Sequence, residues 1–135
     1  MNFKIQRTVT TTITLEQVDD LLTCAFEGGS NYWYTIKRTI EPTEILYKTD
    51  IFEDGKSYLT PALNPGGALV IIDREEDEED AKEYILDLKS IENGLIIMSE
   101  DQYSFHMNNL LTENEDAETG DVFLQLCLFG KIVFG

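Results

Sequence analysis

The 135-residue sequence predicts one α+β domain, a small mixed or antiparallel sheet packed against about three helices. Three observations carry that prediction. Residues 15–26 repeat apolar side chains at helical spacing. Residues 68–72 form an unbroken apolar run of strand length. Helical and strand segments do not follow the regular alternation that builds a parallel sheet. No repeat or compositional break divides residues 1–135, and the chain is long enough for a core without disulfides.

Residues 3–14 alternate and are rich in β-branched types (Ile5, Val9, Thr10, Thr11, Thr12, Ile13), which predicts a first strand. Thr14 has the chemistry of a helix N-cap, with Gln17 as its capping-box partner. Leu15, Val18, Leu22, Ala25 and Phe26 then fall on one helical face, and Gly28-Gly29 ends the helix, with one glycine expected at φ > 0. Aromatic and β-branched content predicts strands over 31–40 and 44–52, separated by Pro42. Residues 53–67 read as loop, and Asn64-Pro65-Gly66-Gly67 carries strong turn chemistry.

Ala68-Leu69-Val70-Ile71-Ile72 reads as a buried central strand, and 84–88 as a returning one. Between them, Asp73 to Glu83 holds eight acids against Arg74 and Lys82, which predicts a solvated loop or hairpin tip. Ser90 is a candidate cap for a helical region reaching about Leu111. A last helix over Asp121–Phe129, started by Glu118 or Thr119, should stop at Gly130. It is apolar almost all round, as buried helices are. Residues 131–134 are short and β-prone.

Charge limits function. With 26 acidic against 10 basic residues the net charge is −16, and a nonspecific grip on nucleic acid or on anionic membrane requires the opposite sign. Acidic mimicry of nucleic acid remains open, as does a pocket that takes a small anion through a few local donors. Cys24 and Cys127 sit in apolar helical patterns and read as buried free thiols of a reduced, cytoplasmic chain. No apolar run approaches the ~18 residues of a membrane span. Neither cysteine has a CxxC partner, and no residue spacing calls for a metal or cofactor.

The stretch Gly28-Gly29-Ser30-Asn31-Tyr32-Trp33-Tyr34 holds the only tryptophan. It reads either as a helix end leading into a buried aromatic strand or as a ligand site, with backbone donors at the glycines and rings that stack on a planar group. Glu118, Asp121 and Gln125 form the polar stripe of the last helix. That stripe is either its solvent face or the lining of a cleft, and Thr119 lies beside it. His106, the only histidine, shares a helix face with Asn109 and Glu113. No nucleophile elbow, phosphate loop or dinucleotide fingerprint is present, so an enzyme is the less favoured class.

Three blocks in this order, Ala25 to Tyr34, Leu63 to Leu69 and Glu113 to Gln125 with the Phe129-Gly130 and Phe134-Gly135 endings, resemble a widespread family of small phage and prophage proteins. The resemblance runs from about residue 9 to the C-terminus. Glu75–Asp80 looks like an expanded tip, and Tyr103-Ser104-Phe105-His106 is less basic than the family pattern. What the resemblance implies is context: an accessory or counter-defence protein in the host cytoplasm. The leading expectation is a homo-oligomer that binds and withholds a nucleotide-derived small molecule. Gly28, Gly29, Ser30, Asn31, Tyr32, Trp33, Tyr34, Asn64, Gly66, Gly67, His106, Glu118, Thr119, Asp121 and Gln125 are its candidate binding residues. Only Lys37, Arg38, Lys48 and Arg7 are placed to meet phosphate. The alternative is an acidic protein that blocks a host nuclease or Cas-like effector, and a third reading is a small nucleotide-processing enzyme built on carboxylates and His106.

Overall fold

A computed structural model of the chain describes residues 1–48 and 58–135. Its elements are α1 (Leu15–Cys24), β1 (Tyr34–Ile40), β2 (Ala68–Asp73), β3 (Tyr84–Leu86), α2 (Leu88–Met98), α3 (Ser104–Leu111) and α4 (Ala117–Phe129). The strands make an antiparallel sheet in the order β1-β2-β3, so the fold is α+β with the apolar run at its centre.

Local chemistry explains most boundaries. Thr14 and Gln17 close the predicted capping box: the Thr14 N–H donates to Gln17 Oε1 at 2.9 Å, and Gln17 N–H donates to Thr14 Oγ1 at 3.2 Å. A π-helical turn, Ala25–Gly29, carries α1 into the aromatic block. Asn64-Pro65-Gly66-Gly67 is a type II turn, with Gly66 at φ 81° and Gly67 N–H donating to Asn64 O at 3.2 Å. Gly130 ends α4 at φ 73°, as a left-handed cap should.

Other expectations need correction. Residues 3–14 form no strand; strand propensity has no partner edge to satisfy there. Residues 44–48 and 131–134 are likewise outside the sheet, and the expectations for 49–57 fall outside the described residues. Ser90 is not a cap but the third residue of α2; Asp87 is the cap, and the two form a reciprocal box. The region to Leu111 is two helices, broken at Ser99 by a 3₁₀ turn over Asp101–Tyr103. α4 starts at Ala117 because Asp116, not Glu118 or Thr119, accepts from the Thr119 N–H at 2.8 Å.

Neither Gly28 nor Gly29 has a positive φ. The constraint at Gly29 is contact: a Cβ there would overlap the carbonyl of Ala117 at the start of α4.

The core lies where α2 and α4 meet the sheet and α1 packs on α4. Leu21, Leu22, Leu69, Ile71, Phe123 and Leu124 are among its fully buried members. The acidic run joins β2 to β3 as a hairpin loop, and residues 74–80 are exposed. It is not a loose tip. Asp73 accepts from Glu75 N–H at 2.9 Å, and Asp77 O accepts from Asp80 N–H at 3.0 Å and Ala81 N–H at 2.8 Å. A bulge in β1 between Ile36 and Arg38 re-aims a side chain that would otherwise face away. Consecutive Lys37 and Arg38 therefore both reach Glu83, at 3.0 and 2.8 Å. Hydrogen bonds from Arg38, then Lys37, hold the Glu83 carboxyl down to about 2.

Candidate functional site

α4 is the element on which most candidate residues meet. Its position is set by small residues: a Cβ at Gly120 would lie 2.6 Å from Ala25 N and 2.9 Å from the Cys24 carbonyl carbon. Close approach brings the aromatic block against the polar stripe. Asp121 Oδ1 accepts from Ser30 Oγ at 2.7 Å and Trp33 Nε1 at 2.8 Å. Its Oδ2 accepts from Tyr32 Oη at 2.7 Å and Gln125 Nε2 at 3.1 Å. Burial, with Asp121 beside it, pushes Tyr32 up to about 12, so the phenol stays a donor at neutral pH.

Gln125 extends the joint to the C-terminus. Its Oε1 accepts from Val133 N–H and Phe134 N–H, both at 2.8 Å, and its Nε2 reaches Phe134 O at 3.2 Å. The tail is thereby fixed so that Phe134 stacks on Trp33, with ring centres 4.9 Å apart and planes 7° from parallel. Phe129 closes a second side at 5.4 Å. Trp33 is 2 % exposed. The stripe is graded: Glu118 is exposed, Asp121 is half-buried with both oxygens engaged by the protein's own donors, and Gln125 is buried. In this arrangement Trp33 offers no free face to a base.

The remaining candidates are dispersed. Thr119 projects about 200° around the helix from Asp121 and is fully buried. Its Oγ1 meets His106 Nδ1 at 2.8 Å and Asn109 Nδ2 at 3.0 Å, tying α3 to α4. His106 and Thr119 therefore belong to a different cluster from Trp33 and Asp121. Asn64 is 1 % exposed. It accepts from Leu46 and Tyr47 N–H at 2.6 and 2.8 Å, and donates to Tyr47 and Thr60 carbonyls at 2.7 and 2.8 Å. Its side chain is saturated. Gly66 and Gly67 line a shallow groove of about 420 Å³ with Lys89 and Ile85. Gly28 and Asn31 are on the surface. Tyr34 Oη donates to Phe26 O at 2.9 Å, and its ring packs edge-on against Phe26.

Sequence reasoning missed Phe134 and the tail that Gln125 clamps, because no local pattern reports a backbone segment bound by a distant amide. It also missed Gly94 and Gly120, whose need is contact with Cys127 and with the end of α1. Burial pushes the Cys127 thiol well up, and burial followed by Glu115, Asp116 and Asp20 raises Cys24, so neither is a thiolate at neutral pH. Among the described residues no group of three or more His, Cys, Asp or Glu is placed to hold a metal, and no helix is long and apolar enough to cross a membrane. No family model, curated protein or solved structure matches the chain.

Proposed function

We propose that the protein acts through its acidic hairpin loop, as an interaction protein that occupies the nucleic-acid-binding face of a basic partner. The observation that carries this reading is Glu75-Glu76-Asp77-Glu78-Glu79-Asp80, consecutive exposed carboxylates held in defined turns. The turns lower the ordering cost that a disordered acidic run meets on binding. Glu83, paired with Lys37 and Arg38, anchors the foot of the loop, and among the described residues the six carboxylates above it form no ion pair, Asp77 accepting only from the Glu79 N–H. The resemblance to phage accessory proteins supports a host nuclease or Cas-like effector as that partner, met in the host cytoplasm.

The test is displacement of labelled duplex DNA from a purified cationic nuclease or Cas-type effector, read by anisotropy. The wild-type chain should compete, and competition should weaken steeply with salt. A variant with Gln and Asn replacing the six carboxylates of 75–80 should lose competition. Its melting temperature at low salt should be equal or higher, because like charges are removed. Undiminished competition by that variant contradicts the proposal.

Sequestration of a nucleotide-like small molecule is the second reading. The groove under the Gly66-Gly67 turn favours it, since about 420 Å³ is within the range of small-ligand sites and Lys89 supplies a cation. Its own test is mass spectrometry of whatever heat releases from protein incubated with host extract.

A further inference from the structure

We propose that the N-terminal arm, residues 1–13, pairs antiparallel with the arm of a second copy and seats its apolar face in that copy's α2–α3 groove, making a reciprocal dimer. The arm is a strand sequence without a sheet. Phe3, Ile5 and Val9 are 81 %, 83 % and 69 % exposed. Among the described residues none of 1–13 makes a hydrogen bond. In extended form such a β-branched ribbon presents a row of open donors and acceptors that a second strand satisfies.

The phase of the alternation selects the occupant. In an extended chain Phe3, Ile5, Arg7, Val9, Thr11 and Ile13 share one face. A groove of about 600 Å³ is lined on one side by Val9, Thr11 and Ile13, and on the other by Leu95, Ile96 and Met107. The odd face thus already points at the groove, but its first half, Phe3 and Ile5, runs past the end. Directly opposed residues of an antiparallel pair put their side chains on the same face. Pairing odd with odd, with Thr8 on the two-fold axis, sets the partner arm's first half over this groove: its Phe3 beside Ile13, its Ile5 beside Thr11. Ile96, 59 % exposed, is the apolar floor that this covers.

Charge points the same way. Lys4 and Arg7 are two of only ten basic residues, and no acid precedes Glu16. The arm is a cationic strand on a strongly acidic body, and Arg7, on the odd face, arrives at a groove whose wall includes Glu92. The two-fold repeats every contact, which makes a second copy a better occupant than a foreign strand.

The test combines mass and geometry, using the full chain. Sedimentation equilibrium should give a dimer at about 100 μM, a concentration that populates even weak self-association. Phe3→Asp with Ile5→Asp should give a monomer that still melts cooperatively, at the temperature shown by wild type diluted to its monomer, because both side chains stand free of the folded body. Thr8→Cys should oxidise to a covalent dimer far faster than Asn2→Cys, since only residue 8 meets its own copy on the axis. A monomeric wild type, a dimer that survives the double Asp variant, or no preference for cross-linking at residue 8 overturns the proposal.

Discussion

Asp121→Ala is expected to lower unfolding free energy by about 3 kcal/mol. The change removes the acceptor of four donors at once. Tyr32 is half-exposed and finds water, and Gln125 keeps its bond to Phe134 O. Ser30 Oγ and Trp33 Nε1 belong to buried residues, and each unsatisfied buried donor costs about 1–3 kcal/mol. Asp121→Asn keeps one good acceptor for those two donors but turns an amide toward Gln125 Nε2, so its loss should be nearer 1 kcal/mol. Urea unfolding of both variants checks the order. A change under ~0.5 kcal/mol for Ala would mean that water replaces the carboxylate.

Gly120→Ala should be similarly damaging, by about 2–3 kcal/mol, although alanine favours a helix over glycine by roughly 1 kcal/mol. The opposing term wins because the obstacle is backbone. The new Cβ would lie 2.6 Å from Ala25 N and 2.8 Å from Cys24 Cβ, so α4 must lift from α1 and open the core between them. Gly29→Ala meets the Ala117 carbonyl in the same way. Gly28→Ala is the internal control: its Cβ would stand 3.9 Å from Ala117 Cβ, an ordinary contact, so stability should hold or rise slightly. Thermal melts of the three variants decide the matter. Equal behaviour of Gly28 and Gly120 would show that conformational freedom, not close approach, sets these positions.

These two effects also mark what the sequence could disclose. Features whose cause is local were legible: the Thr14–Gln17 box, the Gly66 turn, the Gly130 cap and the apolar run of β2 each follow from residues within four of one another. Features whose cause is distant were not. Residues 3–14 have every mark of a strand, but a strand exists only where another edge meets it. The cap of α4 went to Asp116 rather than Glu118: the helix begins two residues earlier, and the Asp116 carboxylate accepts from the Thr119 N–H at its third position.

The polar stripe of α4 was visible at its helical spacing. Its destination was hidden, since Asp121 is satisfied from residues about ninety positions away. The aromatic block and the stripe do converge, as a ligand cleft requires. The structure fills the space between them with the protein's own Phe134.

Fluorescence of Trp33 tests that last point most directly, because the chain has one tryptophan and its emission reports one place. If the block is a closed joint, with Phe134 on the indole face and Asp121 on its N–H, emission should be insensitive to added ADP-ribose or cyclic dinucleotide and weakly quenched by iodide. Saturable quenching by either nucleotide, in proportion to protein, would contradict the account and return Trp33 to a binding site.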